Sequence, residues 1–121
     1  MARTIPDRSE AAETAGAAAR RIREFLDTCH GQSVDTADMA RAAGCSRRTL
    51  ARVTRSHWDC TPREVIARYR IQKACDLLCQ GWKVEAAALA VGYRSRIHFY
   101  RAFHRHTGTT PGEYRGRLDV P

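Results

Sequence analysis

The sequence predicts an all-α fold of seven helices, grouped as two helix-turn-helix subdomains joined by a long linker helix. Three observations carry this prediction. Apolar residues recur at helical spacing, and no segment keeps the period-two alternation of a strand for long. Residues that cap helix starts alternate along the chain with glycines that stop helices. The same short helix, glycine turn and serine-capped helix occurs twice.

Taken in order, residues 1–12 are polar, contain Pro6 and show no period, which reads as a disordered tail. From about Glu13 the chain turns helical, with Ala18, Ile22, Phe25, Leu26 and Cys29 as its stripe and Gly31 as its end. Asp35 reads as the cap of a second helix, with Asp38 in the capping-box position and Val34 placed to staple onto Met39. Gly44 stops it after Ala43, and Ser46 caps a third helix that reaches about His57. Thr61-Pro62 starts a long fourth helix, with Pro at the first helical position. Its stripe is Ala67, Ile71, Ala74 and Leu78, widened by Ile66 and Leu77, and Gly81 ends it. A fifth helix covers about Val84–Val91 before Gly92. Ser95 caps the sixth, Gly108 ends it, and Thr110-Pro111 starts a short seventh. The expected divisions are therefore a tail to residue 12, a first subdomain over 13–60, a linker helix over 61–80 and a second subdomain over 81–121.

The repeat is residue for residue. Ala40 to Gly44 aligns with Ala88 to Gly92 at an offset of 48. After the turn the offset is 49, pairing Ser46 with Ser95, Leu50 with Phe99, Arg52 with Arg101, His57 with His106, Pro62 with Pro111 and Glu64 with Glu113. One extra residue in the second turn accounts for the slip.

Charge narrows the partner. The chain of 121 residues carries a net charge of +8, spread unevenly: residues 1–40 sum to −2 and residues 41–121 to +10. Nineteen of the 21 basic residues are Arg, whose planar fork suits phosphate and guanine better than a Lys ammonium does. No acid lies between Asp38 and Asp59 or between Glu85 and Glu113. A polyanion is the partner this implies. A second reading is a basic protein-interaction module that docks an acidic partner.

Other chemistry finds little support. There is no apolar run long enough for a membrane and no signal-peptide core. Five cysteines without C-x-x-C spacing argue against a disulfide framework and for a reducing cytosol. Cys75 and Cys79 share a helix face but are too few for a structural zinc site. His30, His57, His98, His104 and His106 form no metal spacing or catalytic order, so no enzyme activity, metal or cofactor is expected. The matched positions of His57 and His106 in the repeat suggest a structural role at the inner helix end. His98 and His104 are placed for phosphate contact that protonation would strengthen.

Short helix, tight turn and second helix form the helix-turn-helix plan, in which the second helix enters the DNA major groove. In the first copy Leu50 and Val53 face inward, opposite Arg47, Arg48, Ala51, Arg52 and Arg55. In the second, Phe99, Ala102 and Phe103 face inward, opposite Arg96, Ile97, Tyr100, Arg101 and His104.

The stretches "DMARAAGCSRRTLARV", "TPREVIARYRIQKACDLL" and "ALAVGYRSRIHFYRAFHRHTGTTPGEYR" resemble the DNA-binding region of the AraC/XylS transcription regulators, from about Val34 to Leu118. Gly92-Tyr93, Ser95, Phe99, Arg101, Phe103, Gly108, Pro111 and Tyr114 match that family's signature. The resemblance implies a sequence-specific regulator of transcription, usually an activator, whose two reader helices, 46–57 and 95–106, enter successive major grooves roughly 34 Å apart. It implies double-stranded DNA and RNA polymerase as partners, in the cytoplasm of a bacterium at the nucleoid. On matched positions, Arg47, Arg48, Arg52, Arg96, Ile97, Tyr100 and Arg101 are the expected base readers, Ile97 through a thymine methyl. Ser46 and Ser95, through their backbone N–H groups, and Arg55, Arg94 and Arg105 are the expected phosphate anchors. No sensor domain is seen, which fits either a stand-alone regulator, binding as a monomer, or the C-terminal piece of a longer protein that dimerises through its missing part.

Four positions depart from the family pattern. Thr54 replaces a bulky apolar residue at the counterpart of Phe103, Ala87 replaces Ile, Lys83 stands where a Ser or Thr would cap, and Asp59 replaces the glycine after the helix. A small residue at a core position forfeits about 1–3 kcal/mol unless neighbours fill in. Trp58 and Trp82 are the side chains expected to fill.

Overall fold

A computed structural model of the chain describes residues 8–28 and 34–118, with side chains from residue 16 on. Seven α-helices and no strands make up the described residues: α1 (Arg8–Thr28), α2 (Thr36–Ala43), α3 (Arg47–Trp58), α4 (Pro62–Cys79), α5 (Val84–Ala90), α6 (Arg96–Thr107) and α7 (Pro111–Leu118). They fall into two compact units that divide between Arg63 and Glu64.

In the first unit α1 packs on both α2 and α3. Its buried side chains include Ala18, Ala19, Ile22 and Leu26 from α1, Met39, Ala40 and Ala43 from α2, and Leu50, Val53 and Thr54 from α3. α1 begins at Arg8, five residues ahead of the expected start, so residues 8–12 are helix rather than tail. Ala11, Ala12 and Glu10 are strong helix formers with no breaker after Pro6, and they extend the helix. The readings placed on residues 1–7, and on Cys29, His30 and Gly31, lie outside the described residues.

α2 starts with a complete capping box. The Asp38 N–H donates to the Asp35 carboxylate at 2.8 Å, and the Asp35 N–H donates to the Asp38 carboxylate at 3.2 Å. The first of these, from the Asp38 backbone, holds the Asp35 carboxyl below its ordinary pKa. α3 ends on Asp59, whose φ of 53° makes it the only non-glycine in the left-handed region among the described residues. An aspartate tolerates that region better than most residues. The Arg55 guanidinium donates to the Asp59 carbonyl at 3.3 Å, satisfying an acceptor there.

Buried Thr54 is accommodated by its backbone, since its hydroxyl donates to the Ala51 carbonyl at 3.1 Å. Trp58 is half-buried beneath the Arg23 guanidinium, which lies 5.5 Å from its ring centre and ties α3 to α1. Trp82 does not fill a core position. It follows the left-handed Gly81 that terminates α4 and is 42% exposed.

The second unit takes in α4 from Glu64 on, ahead of the boundary expected at Gly81. The reason is the stripe itself: Ile71, Ala74, Cys75, Leu77 and Leu78 pack with Ala87, Val91, Phe99 and Phe103 into one core. Aromatic rings run through it in sequence. Tyr93 meets Phe99 at 5.4 Å, Phe99 meets Phe103 at 5.7 Å, and Phe103 meets Tyr114 at 5.6 Å between ring centres. α5 starts at Lys83 without a side-chain cap, as its sequence implied. α7 has one: the Glu113 N–H donates to the Thr110 hydroxyl at 3.1 Å, and the Thr109 hydroxyl donates to the Glu113 carboxylate at 2.8 Å. That second bond leads the causes that lower the Glu113 pKa.

Candidate nucleic-acid interface

The two helix-turn-helix copies are built by the same hydrogen bonds. In the first, the Cys45 N–H donates to the Ala40 carbonyl at 3.0 Å and the Gly44 N–H to the Arg41 carbonyl at 3.1 Å. In the second, Tyr93 donates to Ala88 at 2.9 Å and Gly92 to Leu89 at 3.1 Å. Each pair closes a Schellman turn on a left-handed glycine, Gly44 at φ 69° and Gly92 at φ 94°. α3 and α6 start alike as well. The Ser46 hydroxyl accepts from the Thr49 N–H at 3.1 Å, and the Ser95 hydroxyl accepts from the His98 N–H at 3.4 Å. Neither first turn holds an acid, so each positive helix end is left uncompensated.

The faces divide as the periodicity predicts. On α3, Leu50, Val53 and Thr54 are buried, while Arg47, Arg48, Ala51, Arg52 and Arg55 are exposed. On α6, Phe99 and Phe103 are buried and Ala102 is partly so, while Arg96, Ile97, Arg101, His104 and Arg105 are exposed and Tyr100 is half-exposed. Ile97 is 63% exposed near the start of the helix, an apolar side chain with no core to serve.

The arginines differ in how they are held. Arg47, Arg48, Arg52, Arg94 and Arg101 are exposed and make no ion pair or hydrogen bond among the described residues. Arg55 pairs with Asp59 at 3.5 Å, and Arg105 reaches Glu64 on α4 at 3.3 Å. These two expected phosphate anchors therefore start partly neutralised, though both pairs are exposed and weak. Arg96, an expected base reader, lies over the Tyr100 ring at 5.2 Å and donates to its hydroxyl at 3.4 Å. The pair presents a guanidinium and a ring as one surface.

A further likeness lies on the helices that back the two turns. Arg21-Ile22 on α1 and Arg70-Ile71 on α4 are 49 positions apart, and the two isoleucines are buried at 0% and 2% exposure. Each arginine reaches the glycine turn of its own unit. An apolar stripe carries no sign of these residues, and the offset of 48 that holds ahead of the turns does not pair them; the contacts each makes with its glycine turn do.

No three His, Cys, Asp or Glu side chains are grouped to hold a metal ion among the described residues. Cys75 is buried, which raises its thiol pKa, and exposed Cys79 places its sulfur 3.7 Å from the Tyr114 hydroxyl. The Tyr114 hydroxyl is pushed well above its ordinary pKa, first by that contact and then by burial. His57 and His106 are not equivalent in their surroundings. His57 is exposed beside Trp58, whereas burial, helped by Arg105 and Arg68, lowers the pKa of His106. No helix is long and apolar enough to cross a membrane among the described residues.

Known proteins show the same pattern. A family profile described as a helix-turn-helix domain matches residues 39–117. The RCS-specific HTH-type transcriptional activator RclR of Escherichia coli (strain K12) is 36% identical over 90 residues, which are 74% of this chain and 31% of that protein. The HTH-type transcriptional regulator GlxA of Rhizobium meliloti (strain 1021) is 34% identical over 116 residues, 93% of this chain and 36% of that protein. The chain thus spans about a third of the length of these relatives. Among solved structures, a transcriptional regulator with an AraC-type DNA-binding domain from Chromobacterium violaceum shares the fold. Its TM-score is 0.77 at 24% identity, over 93% of this chain and 98% of that one.

Proposed function

The chain belongs to the helix-turn-helix family of AraC-type transcription regulators, and from that premise we propose that it binds double-stranded DNA at chosen sequences to regulate transcription. α3 and α6 are its two readers, each taking one of two successive major grooves. The observation that carries this reading is the pair of outer faces, exposed, free of acids and built on duplicated turns. We further propose that it acts in the cytoplasm on the chromosome, and that it activates promoters through contact with RNA polymerase. As a stand-alone domain it binds as a monomer; within a longer protein it dimerises through the added part.

Roles divide by chemistry. Arg47, Arg48 and Arg52 read base edges from α3, and Arg101, Ile97 and the Arg96–Tyr100 pair read from α6. Arg fits guanine O6 and N7, and Ile97 fits a thymine methyl. Arg55, Arg94, Arg105 and the N–H groups at Ser46 and Ser95 hold phosphates. Selection of bound duplexes from a random pool tests the whole reading. Two half-sites about ten base pairs apart are expected. A pool that stays random would overturn it and favour an acidic protein partner.

Two substitutions separate readers from anchors. Arg48→Ala is expected to change the preferred base at one or two positions, at a cost of about 1–3 kcal/mol. An unchanged selected sequence would remove Arg48 from the readers. Arg55→Ala is expected to weaken binding to all duplexes alike and to reduce the salt slope by about one. A loss confined to one sequence would make it a reader instead.

A further inference from the structure

We propose that Arg21 and Arg70 are equivalent positioning residues, each clamping the glycine turn that sets the pose of the reader helix in its own unit. The clamp follows from geometry. Its effect on sequence choice rests on the DNA-reading function proposed above.

Both arginines precede a buried isoleucine on the helix that backs their unit. Arg21 donates from Nη1 to the Ala43 carbonyl at 3.3 Å. The same nitrogen lies 3.6 Å from the place a Cβ on Gly44 would occupy. Arg70 sets its guanidinium carbon 3.5 Å from the corresponding place at Gly92, and 5.8 Å from the ring centre of Tyr93. These are ordinary contact distances. A Cβ would fit beside either arginine, so the left-handed φ selects glycine and the guanidinium is an added feature.

The physical need is specific to this motif. A left-handed glycine is soft, and a small rotation there swings the whole following helix. The Schellman bonds tie each turn to the helix before it. They leave the turn's other side, next to the negative helix end, without support. A cation there meets the end of the dipole and its orphan carbonyls. Arg21 does this by a hydrogen bond to the last residue of α2. Arg70 places its guanidinium against Gly92 and over the Tyr93 ring. What the two contacts share is a flat guanidinium laid against the turn, a shape that a Lys ammonium does not supply.

The test uses R21M and R70M, which keep the length of the stem and remove the charged fork. Amide hydrogen exchange in the free protein is read at Gly44 and Cys45 and at Gly92 and Tyr93. R21M is expected to speed exchange about tenfold at the first pair and leave the second unchanged, and R70M the reverse, as for loss of one charge-assisted bond. On DNA, each variant is expected to bind the duplex selected by the wild type about tenfold more weakly, with a smaller loss on a random duplex. R70K keeps the charge but not the flat fork, so it restores random-duplex binding and not the preference. The proposal is overturned if exchange at a variant's own turn is unchanged, or if selected and random duplexes weaken by one factor. Should the methionine variants fail to fold, R21K and R70K carry the same exchange measurement, with the same faster exchange expected and an unchanged rate overturning the clamp. If the wild type itself shows no sequence preference, the DNA-reading function fails while the exchange arm still decides the clamp.

Discussion

Raising monovalent salt from about 50 to about 200 mM is expected to weaken binding to the selected duplex by roughly 10³–10⁵-fold. The estimate assumes that about 6–10 phosphates are neutralised, each releasing counterions from the DNA. The supply of charge supports that number. Residues 41–121 carry sixteen basic and six acidic side chains. Arg47, Arg48, Arg52, Arg94 and Arg101 stand exposed with no acid to surrender before meeting DNA. Arg55 leaves an exposed partner and Arg105 a half-buried one, both open enough for salt to screen the pair. The measurement is a plot of log affinity against log salt. A nearly flat plot would show that the basic faces do not meet phosphates, and the assignment of both readers would fall with it.

The largest expected effect on the protein itself comes from Phe103→Ala. Phe103 is fully buried between Phe99 at 5.7 Å and Tyr114 at 5.6 Å. Truncating such a ring costs about 3–5 kcal/mol, part lost transfer energy and part the cavity left behind. A small domain has about 5–15 kcal/mol in total, so the second unit would be left marginal. At 4–8 °C per kcal/mol for this size, its melting temperature should drop by roughly 12–40 °C. Thermal unfolding followed by near-ultraviolet circular dichroism checks this, since the ring series Tyr93, Phe99, Phe103 and Tyr114 lies in this unit. A shift of only a degree or two would mean the cavity collapses and the ring series is not what holds α6 to α7. The first unit has no such ring: its equivalent residue, Thr54, is buried with its hydroxyl on the Ala51 carbonyl. A methyl and a backbone-bonded hydroxyl contribute less there than a phenyl does in the second unit.

Much of this architecture is legible in sequence because the signals act over five residues or fewer. Asp35 and Asp38 cap α2, Ser46 and Ser95 cap α3 and α6, and Gly44 and Gly92 close the turns, all by bonds between near neighbours. The exposed and buried faces of α3 and α6 follow the 3.6 period for the same reason. The early start of α1 at Arg8 shows the limit of that approach, since Ala and Glu favour helix without making a stripe. Trp82 shows another. Its size suggested a core role, but the turn after Gly81 carries it to the surface.

The sequence by itself thus determined the helices, their caps, the duplication and the two arginine faces. Tertiary structure alone decided which cations are occupied by partners far along the chain. Arg105 meets Glu64 across 41 positions of chain, Arg21 reaches the Ala43 carbonyl across 22, and Arg70 reaches the turn at Gly92. It also decided that α4 from Glu64 on belongs to the core of the second unit. The physical reason is one of range. Caps, turns and amphipathic faces are set by atoms a few residues apart, whereas the partner of a long cationic side chain depends on which helix packing has brought within its reach.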